Sequence, residues 1–269
     1  MNHLLRSFFL SISLVLTQVG VAQVATSVNP SNLGTRQYAM DTVYSVKKIR
    51  EDDKMYQIAV WRRIDLREKY NLPLYGSGDT KENGLISNIY KAVKKNDLVV
   101  YEDENFTKAL SISKFDSSFS YNDVKDTVFF KNYHFLDFKE DFVFDRQHSQ
   151  FKFDIKYIQI IRPAEFNAGA FAQPIGYIRY KDFIKHFSKH PDARWINFQN
   201  ISKSLTYNEA FESRLFRSVV TRYTNEYEAT VLDLVSSNTP ADRRKMQAYL
   251  DALAFEYQLL DFENSVWEW

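Results

Sequence analysis

The 269-residue sequence contains no cysteine. Disulfides, thiol nucleophiles and cysteine-based zinc sites are excluded together. So is the lipidated cysteine that directly follows the signal peptide of a bacterial lipoprotein. Glycine is scarce, at 7 residues, and neither GxGxxG nor GxxxxGK[ST] occurs, so a Gly-rich phosphate loop has little to be built from. The GxSxG nucleophile motif is absent as well. Past the N-terminus, no run is long and apolar enough to span a bilayer. An excess of one charge is also lacking: 35 Lys and Arg stand against 34 Asp and Glu. Loss of a signal peptide carrying Arg6 would leave the two signs equal, which argues against nucleic-acid binding.

What is abundant is aromatic surface. Phe (22) and Tyr (17) dominate an aromatic share of 16%, within an otherwise ordinary 45% hydrophobic and 26% charged composition. Aromatic residues at alternating strand positions fill a core more often than they line a sugar-binding groove. The opening "MNHLLRSFFLSISLVLTQVGVAQ" reads as a secretory signal peptide, with Arg6 in its positive region and Gly20 and Ala22 as the small residues before cleavage. The expected organisation is a signal peptide over 1–22, cleaved after Ala22, and a flexible polar arm over 23–40. A single α+β domain follows over 41–269. The expected location is the periplasm of a Gram-negative cell.

Within that domain the expected fold is α+β: a β-rich centre with short helices and a helical C-terminal third. Ile58, Trp61 and Ile64 fall three apart, and Asp65 pairs with Lys69 at i,i+4, which predicts a helix ending at Asn71 and Pro73. The alternative is a strand through Val60–Leu66. Trp61, Ile64 and Leu66 read as core-facing anchors, with Arg63 and Arg67 outward. "YGSGDTKENG" reads as a loop, and "LISNIYKAV" as a helix with Leu85, Ile86, Ile89 and Val93 on one face. "DLVVYED" (97–103) reads as a strand. In "FKFDIKY" the alternation puts Phe151, Phe153, Ile155 and Tyr157 on one face; at "IQII" the phase slips, through burial of both faces or a bulge. "PIGYIRY" is a strand leading into the helix "KDFIKHFSKH", which Pro191 ends. Thr206 and Glu209 form a capping box for a helix carrying Tyr207, Phe211, Leu215 and Val219. Thr239 and Pro240 start a last helix, lined on one face by Leu250, Leu253, Tyr257 and Leu260.

Residues that could carry chemistry are few. His186 and His190 stand at i,i+4, a spacing that can hold zinc, but Lys185 and Lys189 flank them and no zincin glutamate lies between; a solvated basic face is the simpler reading. Carboxylates are plentiful, yet nothing singles out a catalytic pair. No catalytic residue, cofactor or metal site is expected. "RPAEFNAGAFAQPIGYIRY" (162–180) joins two strands through small residues and is a candidate contact loop.

"VWRRIDLREKYNLPLY", "GLISNIYKAVKKNDLVVYED", "DIKYIQIIRPAEFNAGAFAQPIGYIRY" and "YLDALAFEYQLLDFENSVWEW", in that order, resemble the gliding-motility protein family GldN, also called PorN. The W-R-x-I-D-L-R-E-K-x-N-x-P-L run from Trp61 to Leu74 is the most specific piece. The resemblance implies a non-enzymatic periplasmic subunit of the type IX secretion system of Bacteroidetes. It implies a ring shared with an outer-membrane lipoprotein (GldK or PorK), coupled to inner-membrane motor proteins (GldL and GldM). The candidate interface residues are Trp61, Arg63, Arg67, Glu165, Phe171, Trp267 and Trp269. The reading from another class is a periplasmic glycan- or peptidoglycan-binding module.

Overall fold

The computed structural model describes residues 49–78, 81–119, 130–166, 171–188, 190, 193–195 and 205–267. The signal peptide, the 23–40 arm, Pro191, the centre of the 162–180 loop and Trp269 lie outside the described residues.

The stretch holding Trp61 is a strand, β1 (Lys54–Asp65), and the helix expected there is corrected. Its side chains alternate: Val60, Arg62 and Ile64 are buried on one face, while Trp61 and Arg63 stand on the other. A spacing of three fits a helix turn and says nothing against an extended chain. The period of two was hidden because a charged residue, Arg62, occupies a core position.

β1 lies between β2 and β7 in an antiparallel sheet of order β4-β3-β2-β1-β7, the other strands being β2 (Phe135–Asp145), β3 (Gln150–Arg162), β4 (Gln173–Arg179) and β7 (Val219–Tyr223). Short strands β5 (Arg194–Trp195) and β6 (Leu205–Thr206) pair separately. The segment 97–103 is not a strand of this sheet. Tyr101 alone bridges to Tyr177 at the edge of β4, with both backbone bonds at 2.8 Å. Its apolar run is used instead to bury Leu98 and Val100 in the core.

The phase slip in β3 is a bulge. Lys139 pairs with Tyr157 and Glu140 with Ile155, so Lys156 is the extra residue. Phe151, Phe153 and Ile155 therefore share a face with Ile158 and Ile160. Tyr157 turns to the opposite face, contrary to the alternation read from the sequence.

One face of the sheet is covered by helices. Helix α1 (Leu72–Tyr75) leads to α2 (Leu85–Lys94), then α3 (Ile112–Phe119), α4 (Tyr180–Phe187), α5 (Tyr207–Glu212), α6 (Val231–Leu234) and the long α7 (Ala241–Trp267). Between α1 and α2 two glycines are obligatory. Gly76 has φ 90°, and a Cβ on Gly84 would lie 2.2 Å from the Tyr75 carbonyl oxygen. The capping box on α5 is present, Thr206 accepting from the Glu209 backbone and Glu209 from that of Thr206. The helix stops at Ser213, however; Leu215 lies beyond it and Val219 begins β7.

The core has two parts. Ile64, Leu136, Phe138 and Ile158 meet α2, α4 and α5 in the larger. Val60, Phe142 and Val220 meet Ala252, Phe255 and Leu259 of α7 in the smaller. Among the described residues the aromatic wealth is largely spent here, in edge-on and stacked rings such as Phe183–Phe211 and Tyr223–Phe255.

Between the two parts sits a charge network. Glu140 is 0% exposed and Arg62 8%. Arg62 Nε donates to Glu140 Oε1 at 2.6 Å, and Arg214 donates to both Glu140 oxygens at 2.7 and 3.2 Å. Arg62 Nη1 also pairs with Glu256 of α7. Replacing Glu140 by Gln should destabilise the protein by about 3–5 kcal/mol in urea denaturation, because it leaves two guanidinium groups under-compensated in the interior. The exposed-side change Asp137→Asn should cost about 1 kcal/mol or less in the same assay.

The β2–β3 hairpin is tied at its tip by Asp145, which accepts from Lys152 Nζ at 2.5 Å and pairs with His148 Nδ1 at 2.7 Å. Burial pushes this carboxyl up, but the Lys152 and His148 bonds outweigh it and bring it down to about 2. A carboxyl lowered on folding adds stability that is complete above its ordinary value of 3.8 and lost as pH falls towards about 2. Asp145→Asn should therefore lower stability at pH 7 by about 1 kcal/mol, allowing for solvent screening, and the gap to the unaltered protein should close between pH 4 and 2.

Candidate interaction surface

The face of the sheet turned away from the helices carries Trp61 and Arg63 from β1, Asp137 and Lys139 from β2, Tyr157 from β3, Arg179 from β4 and Arg222 from β7. The bulge at Lys156 is what brings Tyr157 onto it. The segment from Tyr101 to Leu110 covers its β3–β4 side, with Phe106 edge-on to Tyr101 and Tyr157, and Glu104 paired to Lys139.

Trp61 is held from three directions. Arg222 stacks over its ring at 3.6 Å, Lys139 lies 4.8 Å from the ring centre, and the indole Nε1 donates to the Tyr157 hydroxyl at 3.0 Å. The expectation of a core-facing Trp61 beside Ile64 and Leu66 is corrected: Ile64 and Leu66 are core, and Trp61 faces the other way.

Two residues along β1, Arg63 clamps Asp137 bidentately, at 2.7 and 2.8 Å. Arg67 does the same to Asp65, at 3.1 and 2.9 Å, and its backbone N–H donates to Asp65 as well. Both guanidinium groups lie over the ring of Phe135, at 5.2 and 5.5 Å. The hydrogen bond to Asp137 raises the Arg63 value further, and that to Asp65 does so for Arg67, with Glu165 adding to the latter through its charge. His134, next to Phe135, is buried; burial first and the Arg67 charge second lower its value and keep it neutral.

Trp61, Arg63, Arg67 and Glu165 are thus gathered along one sheet face and its end. Phe171 is exposed. Trp267 is the last described residue of α7, at the far end of the chain. Fixed, planar cations over an aromatic ring suit contact with another protein.

The rest of the Trp61–Leu74 run is scaffold. The Asn71 side chain is fully buried, donating to the Asp65 and Arg217 carbonyls at 2.7 and 2.9 Å and accepting from the Arg217 N–H at 2.8 Å. That amide ties the end of β1 to the approach of β7. Pro73 and Leu74 are buried in α1.

The Arg62–Glu140–Arg214 network escaped the sequence reading. Its signal was present: Arg62 follows Ile58 and Val60, and Glu140 follows Leu136 and Phe138, each at the apolar phase of its strand. Opposite charges on core phases of two strands point to a buried pair.

His186 and His190 do meet, ring centres 4.9 Å apart, at a pocket of about 300 Å³ also lined by Lys91, Lys95 and Asp97. Burial and His190 lower the His186 value. No group of three potential metal ligands occurs among the described residues.

No curated protein matches the chain. The model of one family, the gliding motility associated protein GldN, matches residues 49–268. That span takes in the whole sheet, its helical cover and the Trp61–Arg67 face, and this chain belongs to the GldN family.

Proposed function

We propose that the chain is a non-enzymatic structural subunit of the periplasmic ring of the type IX secretion and gliding machinery. An outer-membrane lipoprotein of the GldK or PorK kind holds it at the membrane, and inner-membrane proteins of the GldL and GldM kind couple to it. The observation that carries this reading is the family match from 49 to 268, which spans the entire described domain. Two features support it. Among the described residues no helix is long and apolar enough to cross a membrane, and in this reading a lipidated partner supplies the attachment. The sheet face built on Trp61, Arg63 and Arg67 offers a rigid, self-paired set of cations, which a docking subunit can engage without a large ordering cost.

Charge reversal tests the surface and the reading together. Arg63→Glu with Arg67→Glu removes two partly exposed ion pairs and should cost the isolated protein about 1–2 kcal/mol in total. The pair should nevertheless abolish co-purification with the lipoprotein from detergent-solubilised envelopes. Retention of the complex would return both arginines to an ordinary solvated face. An unaltered chain that leaves the envelope as a free monomer, with no lipoprotein partner, would sink the ring assignment itself.

A further inference from the structure

Helix α7 is apolar on two sides. One line of residues, Ala248, Ala252, Phe255, Leu259 and Phe262, lies against the sheet and its aromatic rings. A second line, Met246, Leu250, Leu253, Tyr257 and Leu260, lies on the other side, with Leu253 half-buried and the other four exposed. Met246 is 62% exposed, Leu250 49%, Tyr257 65% and Leu260 52%. The lines are offset by two residues, about 200° around the helix, so they occupy nearly opposite faces. Four residues of the second line, Leu250, Leu253, Tyr257 and Leu260, form the face expected from the sequence. The structure docks the helix by the first and leaves the second open.

The open line advances by alternating steps of four and three. That is the seam of a two-stranded coil, the repeat that keeps an apolar stripe against another helix over several turns. The partner is therefore a helix, and the charges on α7 specify which. Arg243, Arg244 and Lys245 follow Asp242 in its first turns, which are net basic, and Asp261 and Glu263 lie near its end. The net basic N-terminus and the acidic C-terminus both stand where the helix macrodipole disfavours them. A second α7 laid antiparallel reverses that cost: each basic end meets an acidic end, and the two dipoles oppose. We propose that two copies of this chain pair through antiparallel α7 helices, with the Met246–Leu260 seam buried between them. The two-fold axis passes near Ala254, which is exposed. Such an interface is isologous and closes at two. It is carried by α7 alone and does not rest on the ring assignment.

Sedimentation equilibrium of the purified chain should give twice the monomer mass at micromolar concentration. Leu250→Glu with Tyr257→Glu should weaken the dimer by at least about 100-fold, since both side chains lie in the seam. Neither touches the docked line, so circular dichroism and the thermal midpoint should hold. Orientation can be read directly, because the chain has no cysteine of its own. Under oxidation Ala254→Cys should link to itself. Gln247→Cys should not, but should link to Asp261→Cys when the two are mixed. A monomer at every concentration, a dimer indifferent to the double substitution, or a self-linked Gln247→Cys would overturn the proposal. So would a monomer whose seam is taken up by lipid vesicles or by the lipoprotein.

Discussion

The carboxylate of Glu140 is the constraint on which the rest of the structure hangs. It lies in the middle of the middle strand, on the core face, with no exposure to solvent. A bare carboxylate there would be costly, so both oxygens must be met by cations. Arg62 meets it from β1 and Arg214 from the connection between α5 and β7. Arg62 reaches on to Glu256, and so draws α7 into the same network. Four parts of the chain far apart in sequence are thereby fixed to one point. The two apolar clusters lie to either side of it, and Arg214 seals one flank by stacking on Phe153 at 4.2 Å. Apolar packing alone tolerates small slides between sheet and helix. A bidentate charge network does not, and it sets the register of α7 on the sheet.

The second determinant is one extra residue. Without the bulge at Lys156, the β2–β3 hairpin would send Tyr157 into the core and Ile158 out to solvent. With it, Phe151, Phe153 and Ile155 serve the cluster under α7, and Ile158 and Ile160 serve the cluster under α4 and α5. Tyr157 is released to hold the Trp61 indole. Burial raises the Tyr157 value, so the hydroxyl stays protonated and the contact is not titrated near neutrality. The bulge thus makes the outer face as much as the core.

Much of this was legible from the sequence where the period was clean. Helix α2, the β3 alternation before the bulge, the α5 capping box and the helical end of the chain all follow from spacing and cap chemistry. Three segments misled for identifiable reasons. In β1 a buried Arg62 interrupts the apolar alternation, and the interruption is explained only by Glu140, seventy-eight residues away. In 97–103 a run of β-formers is used for two isolated bridges, both at Tyr101, and two core contacts, because the β4 edge accepts only Tyr101. After α5, Leu215 and Val219 continue a four-residue step past the helix, since Arg214 leaves the helical path with φ 50° to reach Glu140. In each case a long-range demand overrode a local preference. At the candidate surface, Arg63 and Arg67 were readable as outward. Trp61 was not, because an aromatic on a sheet face stacked by cations has the same sequence appearance as one in a core.

The Trp61–Leu74 run, which carries most of the likeness to GldN proteins, is specific chiefly for interior reasons. Arg62 serves the buried network, Ile64 and Leu66 the core, Asp65 the Arg67 clamp, Asn71 the junction with β7, and Pro73 and Leu74 the turn into α1. Arg67, Lys69 and Tyr70 keep much of their surface in water, and Arg63 about a third of its side chain. A distinctive stretch of sequence can therefore record how a scaffold is locked, while the surfaces that meet other molecules look ordinary. The outer seam of α7 is the clearest instance. Its spacing is as regular as that of the docked side, and its exposure is a fact of the fold, not of the residues. The docked face sets Phe255 and Leu259 on Val60, Phe142 and Val220, while Arg62 holds Glu256 at the flank of the helix. That packing fixes α7 on the sheet and turns its other apolar face to solvent.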